Sequence, residues 1–492
     1  MKHFLAIDQS TSATKVILYD HEGRPIDHES REHEQLYPRA GWVEHDLEEI
    51  WQNLLECVRV LLNRQSGKIS TLACLSLTNQ RETITVFERG TGKPLHNAIV
   101  WLCRRGATLC GELESAGYGN LVRERTGLRI DPYFSASKLK WLIREEPELS
   151  ARLRSGEALI GTIDAYLLYR LTGGRVFATD HTNASRTLLY DIEGLRWHPE
   201  LCELFDVPLG ALPEVRESAA RFGETTISGV LPHPIPICGI MGDSQASLFA
   251  QRCFQPGTAK VTLGTGSSVL LNIGEKPRLP EGALVTTIAW VWDGRPTYSF
   301  EGIINFSAAS IAWLRDQLKL IQSAGESGDL AASIPDNGGV YLVPAFAGMG
   351  APHWKPEAKA AIVGLTASAD RRQIVRAAEE SIAYQLYDVL EVMKRDAGIE
   401  LNSIQADGGP TRDEFLMQFT ADIVGIDVQA AAVSDCSALG AVMAGMLGLG
   451  HLESLEALTA LPRETKLYSP RMQEEEVRKN LAGWSDAVER VL

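Results

Sequence analysis

Two carboxylates carry the chemistry this chain is equipped to do. Asp8 ends an apolar run. Gln9 follows it, then the small and hydroxylated residues Ser10, Thr11, Ser12, Ala13 and Thr14, then Lys15 and a second apolar run. Asp243 lies in "GIMGDSQASLF", between Gly242 and the small-residue start of a helix. Turns of Gly, Ser and Thr let backbone come close to a ligand and aim amides and hydroxyls at anionic oxygens. A carboxylate on the strand before such a turn can hold Mg²⁺, directly or through water. Lys15 would add a cation. Asp243 has two readings: a helix N-cap, or a general base that takes a proton from an attacking hydroxyl.

A second turn, Gly264-Thr265-Gly266-Ser267-Ser268, sits between the apolar runs of "AKVTLGTGSSVLLNIG". Two such turns facing each other from two domains would clamp a nucleoside triphosphate. Neither is a Walker A loop, which needs a Gly-Lys-Ser/Thr ending. A third glycine turn, "ADGGPTRD" (406–413), leads into a helix whose N-terminal amides would favour an anion or a nucleotide; the alternative is a plain strand–helix connection. In "TNQRETITVFE" an adjacent cation and anion, Arg81 and Glu82, end an apolar strand and can respectively donate to and accept from vicinal hydroxyls. Trp101 ends a similar run, where an indole can stack on a carbon backbone, and Tyr133 follows in "DPYFSASKLKWL". Taken singly, these three features read first as a salt bridge, a core tryptophan and a packed tyrosine. Their convergence at strand ends points to a ligand crevice.

The elements that must position these residues are legible. Residues 3–8, 14–19 and 25–32 read as a three-strand meander, with a tight turn at 20–25. A helix follows from Asp46, with Ile50, Leu54, Cys57, Val58 and Leu61 on one face, Asp46 as cap and Glu49 three residues on. The near-continuous apolar run 71–78 reads as a strand buried on both faces. The second half repeats the theme. A hairpin at 259–274 precedes strand runs "ALVTTIAWV" and "RPTYSFEG" and a helix at 307–318. A long amphipathic helix spans 371–398 and ends at Gly398; a strand, Gly-Gly turn and helix fill 403–425. Pro256-Gly257 break the pattern, which places the boundary near 247–256 and the domains at 1–250 and 251–492.

Bulk properties agree. The 492 residues exceed what one core supports, roughly 250–300 residues. The chain is 45% hydrophobic and 23% charged, as soluble globular proteins are. A net charge of −15 argues against nucleic acid or an anionic membrane as partner, though not against a phosphorylated ligand held in a local cradle. Eight scattered cysteines form no C-x-x-C pair, which argues against zinc or thioredoxin-type motifs and for buried free thiols in a reducing cytosol. No signal-type apolar core opens the sequence, and no run approaches the ~20 apolar residues of a spanning helix. The cytoplasm is the expected location.

Taken together, "GWVEHDLEEIW", "TNQRETI", "NAIVWLCRR", "TGLRIDPYFSASKLKWL", "DHTNASRTLLY", "PAFAGMGAPHW" and "DGGPTRDEFLMQFTADIVG" resemble the FGGY carbohydrate kinases, and within them the glycerol kinases, from residue 4 to about 490. The resemblance implies an α/β fold of two ribonuclease-H-like domains, the actin and hexokinase architecture, with a cleft that closes on substrate and ATP. It implies that Arg81, Glu82, Tyr133 and Asp243 bind the polyol hydroxyls, that Trp101 lines the pocket, and that Asp243 is also the catalytic base. Asp8, with Asp243, would serve Mg²⁺. Thr11, Ser12, Ala13 and Lys15 would line the phosphate site, with Thr265 and Gly409 opposite. The family's dimers and tetramers leave the oligomeric state open.

Departures from the family pattern are specific. Ser244 stands for Gln after the catalytic acid, and Ser268 for a Phe that packs on the substrate carbons. Both remove bulk from the polyol pocket and add a hydroxyl, and losing an apolar wall shifts selectivity by about 1–3 kcal/mol. Ser10 replaces a glycine; Lys15 replaces an arginine and loses its planar fork. Around the nucleotide, Ala308 replaces Gly, Ala312 Gln and Asp413 Asn; Lys355 stands for Asp and Ala360 for Gly. The loop 228–236 lacks the Gly-Arg pattern that binds fructose bisphosphate in some relatives, so no such inhibition is expected. The expected activity is ATP- and Mg²⁺-dependent phosphorylation of a terminal polyol hydroxyl. Glycerol, giving sn-glycerol 3-phosphate, leads. A kinase for a four- or five-carbon polyol or ketose (erythritol, a pentitol or a pentulose) is the alternative that Ser244 and Ser268 favour. A non-catalytic ATP-binding sensor or scaffold is the alternative of another class.

Overall fold

The strand His3–Gln9 buries four consecutive apolar residues, Phe4 to Ile7, as a central strand covered on both faces must. It pairs antiparallel with Ala13–Tyr19, which pairs antiparallel with Pro25–Glu32. On its other side it runs parallel to Leu72–Asn79, and that strand runs parallel to Ile235–Gly242. Arg221–Thr225 closes the far edge, giving six strands. This computed structural model describes every residue except 283, 354, 356, 433 and 434. The tryptophan of "PAFAGMGAPHW" and the first residue of "ALVTTIAWV" therefore lie outside the described residues.

The second half rebuilds the same plan. Thr258–Leu263 is central, antiparallel to Ser267–Gly274 and parallel to Ser403–Asp407, which runs parallel to Val428–Ala431. Arg295–Ile304 takes the place of the third meander strand and Thr465–Tyr468 that of the far edge, with Val285–Trp292 added outside. The repeat that sequence shows only as pattern is thus a repeat of strand order. Fold class is as the resemblance implies: two α/β domains of ribonuclease-H-like topology.

The halves are not separated by a clean cut. The helix Asp243–Ala250 leaves the first sheet and packs on Leu270, Ala289 and Trp290 of the second. Its counterpart, Cys436–Gly448, packs Ala438, Val442 and Met446 onto Phe4, Ala6, Cys74 and Cys238 of the first sheet. The two helices cross closely: a Cβ on Gly440 would lie 1.8 Å from the Ala246 carbonyl oxygen. Each half therefore lends one helix to the other.

Local signals explain the helix ends. Asp46 caps Leu47–Arg64 by accepting from the amides of Glu48 and Glu49, but no capping box forms: Glu49 instead accepts from the amide of Glu34. The helix Arg371–Ala397 does start with a capping box, Asp370 with Gln373, and stops at Gly398 in the left-handed region, φ 58°. The helix expected at 307–318 is Ala309–Asp316. A smaller four-stranded sheet, Glu44–His45, Pro94–Ile99, Ile84–Glu88 and Ala158–Thr162, sits beside the first half and shares a core with the segments carrying Trp101 and Tyr133. All eight cysteines are buried and unbridged. Among the described residues no helix is long and apolar enough to cross a membrane.

Candidate active site

Three neighbouring parallel strands, His3–Gln9, Leu72–Asn79 and Ile235–Gly242, end at one edge, with Gln9 and Gly242 both in register with Asn79. Chain order does the rest. Asp8 is one residue before that edge, Arg81 and Glu82 follow the second strand, and Asp243 follows the third. Ligand groups gather where parallel strands end.

Arg81 is the hub. Its side chain is 5% exposed; Nε lies 3.1 Å from Asp243 Oδ1, Nη1 donates to Gln245 Oε1 (3.2 Å) and Nη2 donates to Glu301 Oε1 (2.7 Å). Glu82 is held by Arg186, whose Nε donates to Oε1 at 2.6 Å. Arg186 Nη1 lies 2.5 Å from Glu301 Oε2. The result is a chain of alternating charges: Asp243, Arg81, Glu301, Arg186, Glu82. Asp243 alone is open, with 39% of its side chain exposed, while Glu301 and Arg186 are fully buried. Glu82 is also strained, at φ 60°, a conformation that costs a residue with a side chain about 1–3 kcal/mol and gathers at functional sites. Its carbonyl is fixed by the Ser135 hydroxyl at 2.8 Å.

Charge balance differs along the chain. Burial works to raise Glu301, but Arg186 and Arg81 outweigh it and hold the carboxyl at about 2. Burial raises Glu82 against the pull of the same two arginines. Asp8 is pushed up to about 7, first by burial and then by the charges of Asp243 and Asp435, with Lys15 opposing. A carboxylate so crowded by others is a site short of positive charge.

Trp101 and Tyr133 meet edge to face, centroids 5.3 Å apart, and the Arg186 guanidinium lies 6.0 Å from the Tyr133 ring. Trp101 Nε1 donates to Thr11 Oγ1 at 2.9 Å. The first turn closes through the Ser10 amide on the Ala13 carbonyl and the Ser10 hydroxyl on the same oxygen, leaving Thr11 and Ser12 at its tip. Ser10 thus supplies by its side chain what a glycine supplies by freedom. Lys15 Nζ is 2.6 Å from Asp435 Oδ1, so the cation expected beside phosphate already bridges the two halves.

The second half is placed less favourably. Thr265 is exposed, but its carbonyl and that of Gly264 accept from the amides of Ser307, Ala308 and Ala309. Ala308 therefore offers no free amide; Ala312 lies further along that helix. Gly408 sits at φ 101°, where a Cβ would be 1.9 Å from the Leu263 carbonyl oxygen, and Gly409 opens a short 3₁₀ turn through Arg412. The helix Glu414–Val424 follows the turn 406–413 directly. Asp413 caps it, accepting from the Leu416 amide at 3.0 Å, so a carboxylate of the chain itself occupies the anion position there. Among the described residues no hydrogen bond or ion pair joins the Ser10–Ala13 turn to Thr265, Ala308, Ala312, Gly409 or Asp413. Ser244 begins the helix beside Asp243. Ser268 pairs with Ile303, two pairs along from Leu270 opposite Glu301, and its hydroxyl is buried without a partner.

Sequence reasoning passed over Arg186, Gln245 and Glu301. The signal for Arg186 and Glu301 was an isolated charge inside an apolar or small-residue stretch, "NASRTLL" and "YSFEG".

The chain is similar to known proteins along its length. Models of the FGGY family of carbohydrate kinases match the chain, the N-terminal domain over residues 3–250 and the C-terminal domain over 259–449. The chain is 45% identical over 491 residues to a glycerol kinase of Desulfitobacterium hafniense, covering all of this chain and 99% of that protein. It is 44% identical to glycerol kinase 2 of Thermotoga maritima, with the same coverage. The crystal structure of Plasmodium falciparum glycerol kinase with ADP superposes with TM-score 0.96 at 36% identity, covering 100% of this chain and 98% of that one. A xylulose kinase from Lactobacillus acidophilus shares the fold, with TM-score 0.89 at 21% identity over 99% of both chains.

Proposed function

This chain belongs to the FGGY family of carbohydrate kinases, and from that premise we propose that it transfers the γ-phosphoryl group of ATP to a terminal hydroxyl of glycerol, giving sn-glycerol 3-phosphate and ADP. The observation that carries this reading is Asp243: an open carboxylate at a helix start, held by Arg81, among otherwise buried charges. It accepts the proton of the attacking hydroxyl, whose oxygen forms the new bond to phosphorus as the bond to the β-phosphate oxygen breaks. Arg81 donates to, and Glu82 accepts from, the substrate hydroxyls; Trp101 and Tyr133 wall the carbons. Amides and hydroxyls of Thr11 and Ser12 receive phosphate oxygens beside Ala13, whose amide donates to Ser10 Oγ at 3.2 Å, with Lys15 adjacent. On the other half, Thr265, Ala308, Ala312, Gly409 and Asp413 border the nucleotide.

Asp8 and Asp243 would hold Mg²⁺. Their chemistry fits: hard carboxylate oxygens, with Asp8 raised to about 7 first by burial and then by the charges of Asp243 and Asp435. Mg²⁺ takes only one or two carboxylates and fills its shell with water and phosphate oxygens, which agrees with there being no cluster of three or more metal-binding side chains among the described residues. Bound there, it would neutralise charge on the β- and γ-phosphates.

Asp243→Asn tests the reading. Turnover of glycerol should fall by about 10²–10⁴-fold, while nucleotide affinity, measured by calorimetry, stays within threefold. Equal losses in both would overturn the assignment of Asp243 as base.

One observation favours a second reading. The buried, unpartnered Ser268 hydroxyl suits a substrate with one more polar group than glycerol, such as a four-carbon polyol or a ketose.

A further inference from the structure

We propose that Glu301 is a positioning residue of the polyol site: a buried carboxylate from the C-terminal half that fixes the Arg81 and Arg186 guanidiniums, so that the site is complete only while the two halves hold this arrangement. The proposal rests on the polyol kinase reading and adds a residue that the reading does not use.

Three observations carry it. First, one carboxylate serves both arginines, Oε1 to Arg81 and Oε2 to Arg186, at 2.7 and 2.5 Å. Each arginine then spends its Nε on a different acid of the candidate site: Arg81 on Asp243 and Arg186 on Glu82. Glu301 thus ties the two guanidiniums together, by a hydrogen bond to Arg81 and by an ion pair without hydrogen-bond alignment to Arg186, and so sets the separation between the two acids. Second, its own position is rigid. It stands inside Arg295–Ile304, paired on one side with Leu270 and on the other with Val285. Sites supported from strands are held more accurately than sites supported from loops. Third, the adjoining strand makes a parallel, weaker tie. Thr287 Oγ1 accepts from Gln245 Nε2 at 3.1 Å and lies 3.1 Å from Ser185 Oγ. Gln245 in turn accepts from Arg81, and Ser185 precedes Arg186. Both arginines are therefore supported twice from the second half, and all four supported residues belong to the first.

Without the Glu301 charge, two buried guanidiniums share only the candidate-site acids. The contacts Arg81–Asp243 and Arg186–Glu82 then persist without the anchor that fixes where they sit. Both acids would shift relative to the polyol, whereas the phosphate turn at 10–13 touches none of these groups.

The test compares wild type with Glu301→Gln and Glu301→Asp in the full chain. Kinetics are run with Mg-ATP across three- to five-carbon polyols, with thermal melts alongside. Glu301→Gln should raise KM for the polyol that wild type prefers at least tenfold and leave KM for ATP within threefold. Glu301→Asp, which keeps the charge, should recover part of that loss. A polyol KM within threefold of wild type, or both KM values rising together as general loosening would produce, overturns the proposal. If Glu301→Gln does not fold, Thr287→Val reads the same split at smaller amplitude: a polyol-only rise of threefold or more is expected, and no rise overturns the proposal. Wild-type turnover with an unshifted Glu301→Gln variant overturns this proposal alone. Absence of wild-type turnover on every polyol overturns the kinase reading and this proposal with it.

Discussion

The indole N–H of Trp101 donates to the hydroxyl of Thr11 across 2.9 Å, joining the wall of the proposed polyol pocket to the tip of the proposed phosphate turn. The turn is braced from behind. The Thr11 carbonyl accepts from Gln35 Nε2 at 2.6 Å and faces His33 Nε2 at 3.0 Å. His45 Nε2 stands 2.9 Å from Gln35 Oε1, and burial lowers that imidazole to about 3, so it stays neutral. Gln80 Nε2, one residue before Arg81, donates to Gln9 Oε1 and the Ser10 carbonyl. These bonds tie the turn to three separate segments and leave only the His33 Nδ1 of that set buried without a partner.

Trp101→Phe keeps an aromatic wall against Tyr133 and removes only the N–H. A hydrogen bond of this kind contributes about 1 kcal/mol, or roughly fivefold. KM for ATP should rise by about that factor, with a smaller change in KM for glycerol, because the tip loses its tether and the carbon wall persists. Thr11→Val should match it. Steady-state kinetics with each substrate varied in turn will show this. A rise confined to glycerol would mean that the indole acts as wall only.

Much of this is legible in the sequence. Strand identity follows from apolar runs broken by small residues, and so does the placing of Asp8, Arg81 and Glu82 at strand ends. What did not follow was anything that depends on which strand lies beside which. Glu301 and Arg186 are distant in sequence from their partners, and nothing in "SFEG" or "NASRT" says that these charges meet. The same limit hid the exchange of helices Asp243–Ala250 and Cys436–Gly448, since a helix shows its apolar face but not whose sheet it covers. Asp413, read as a nucleotide-side residue, also caps the next helix, a local signal that the glycine turn before it obscures.

Ser268 offers the sharpest test of substrate choice. Its hydroxyl is buried without a partner, and an unsatisfied buried polar group costs about 1–3 kcal/mol. A substrate oxygen reaching it would recover that cost. Ser268→Phe fills the space with an apolar ring. The ratio of kcat/KM for glycerol to that for erythritol should rise about tenfold or more, within the range one pocket contact commands. Competition assays with both polyols measure the ratio directly. An unchanged ratio would show that Ser268 does not face the substrate.

Asp164 supports the site from below, and its titration can be isolated. It is fully buried, accepts from Thr162 Oγ1 at 2.6 Å and Thr179 Oγ1 at 2.5 Å, and is raised to about 7 by burial and by the charge of Asp180. Thr162 pairs with Ile84, at the start of the strand that follows Arg81 and Glu82. Because the folded value lies above the unfolded one, near 3.9, the native state keeps this proton longer. Its contribution to stability is full below about pH 4 and lost as pH rises through about 7. His45 and His181, lowered by burial to about 3 and about 4, slope the opposite way below pH 6.5, so the wild-type profile mixes the two. The difference between variant and wild type does not. Asp164→Asn should gain on wild type by about 1.4 kcal/mol per pH unit between pH 5 and 7 and run parallel above about 7.5. Urea melts at pH 5, 6, 7 and 8 give the difference; a constant offset across all four would mean that Asp164 is ionised throughout.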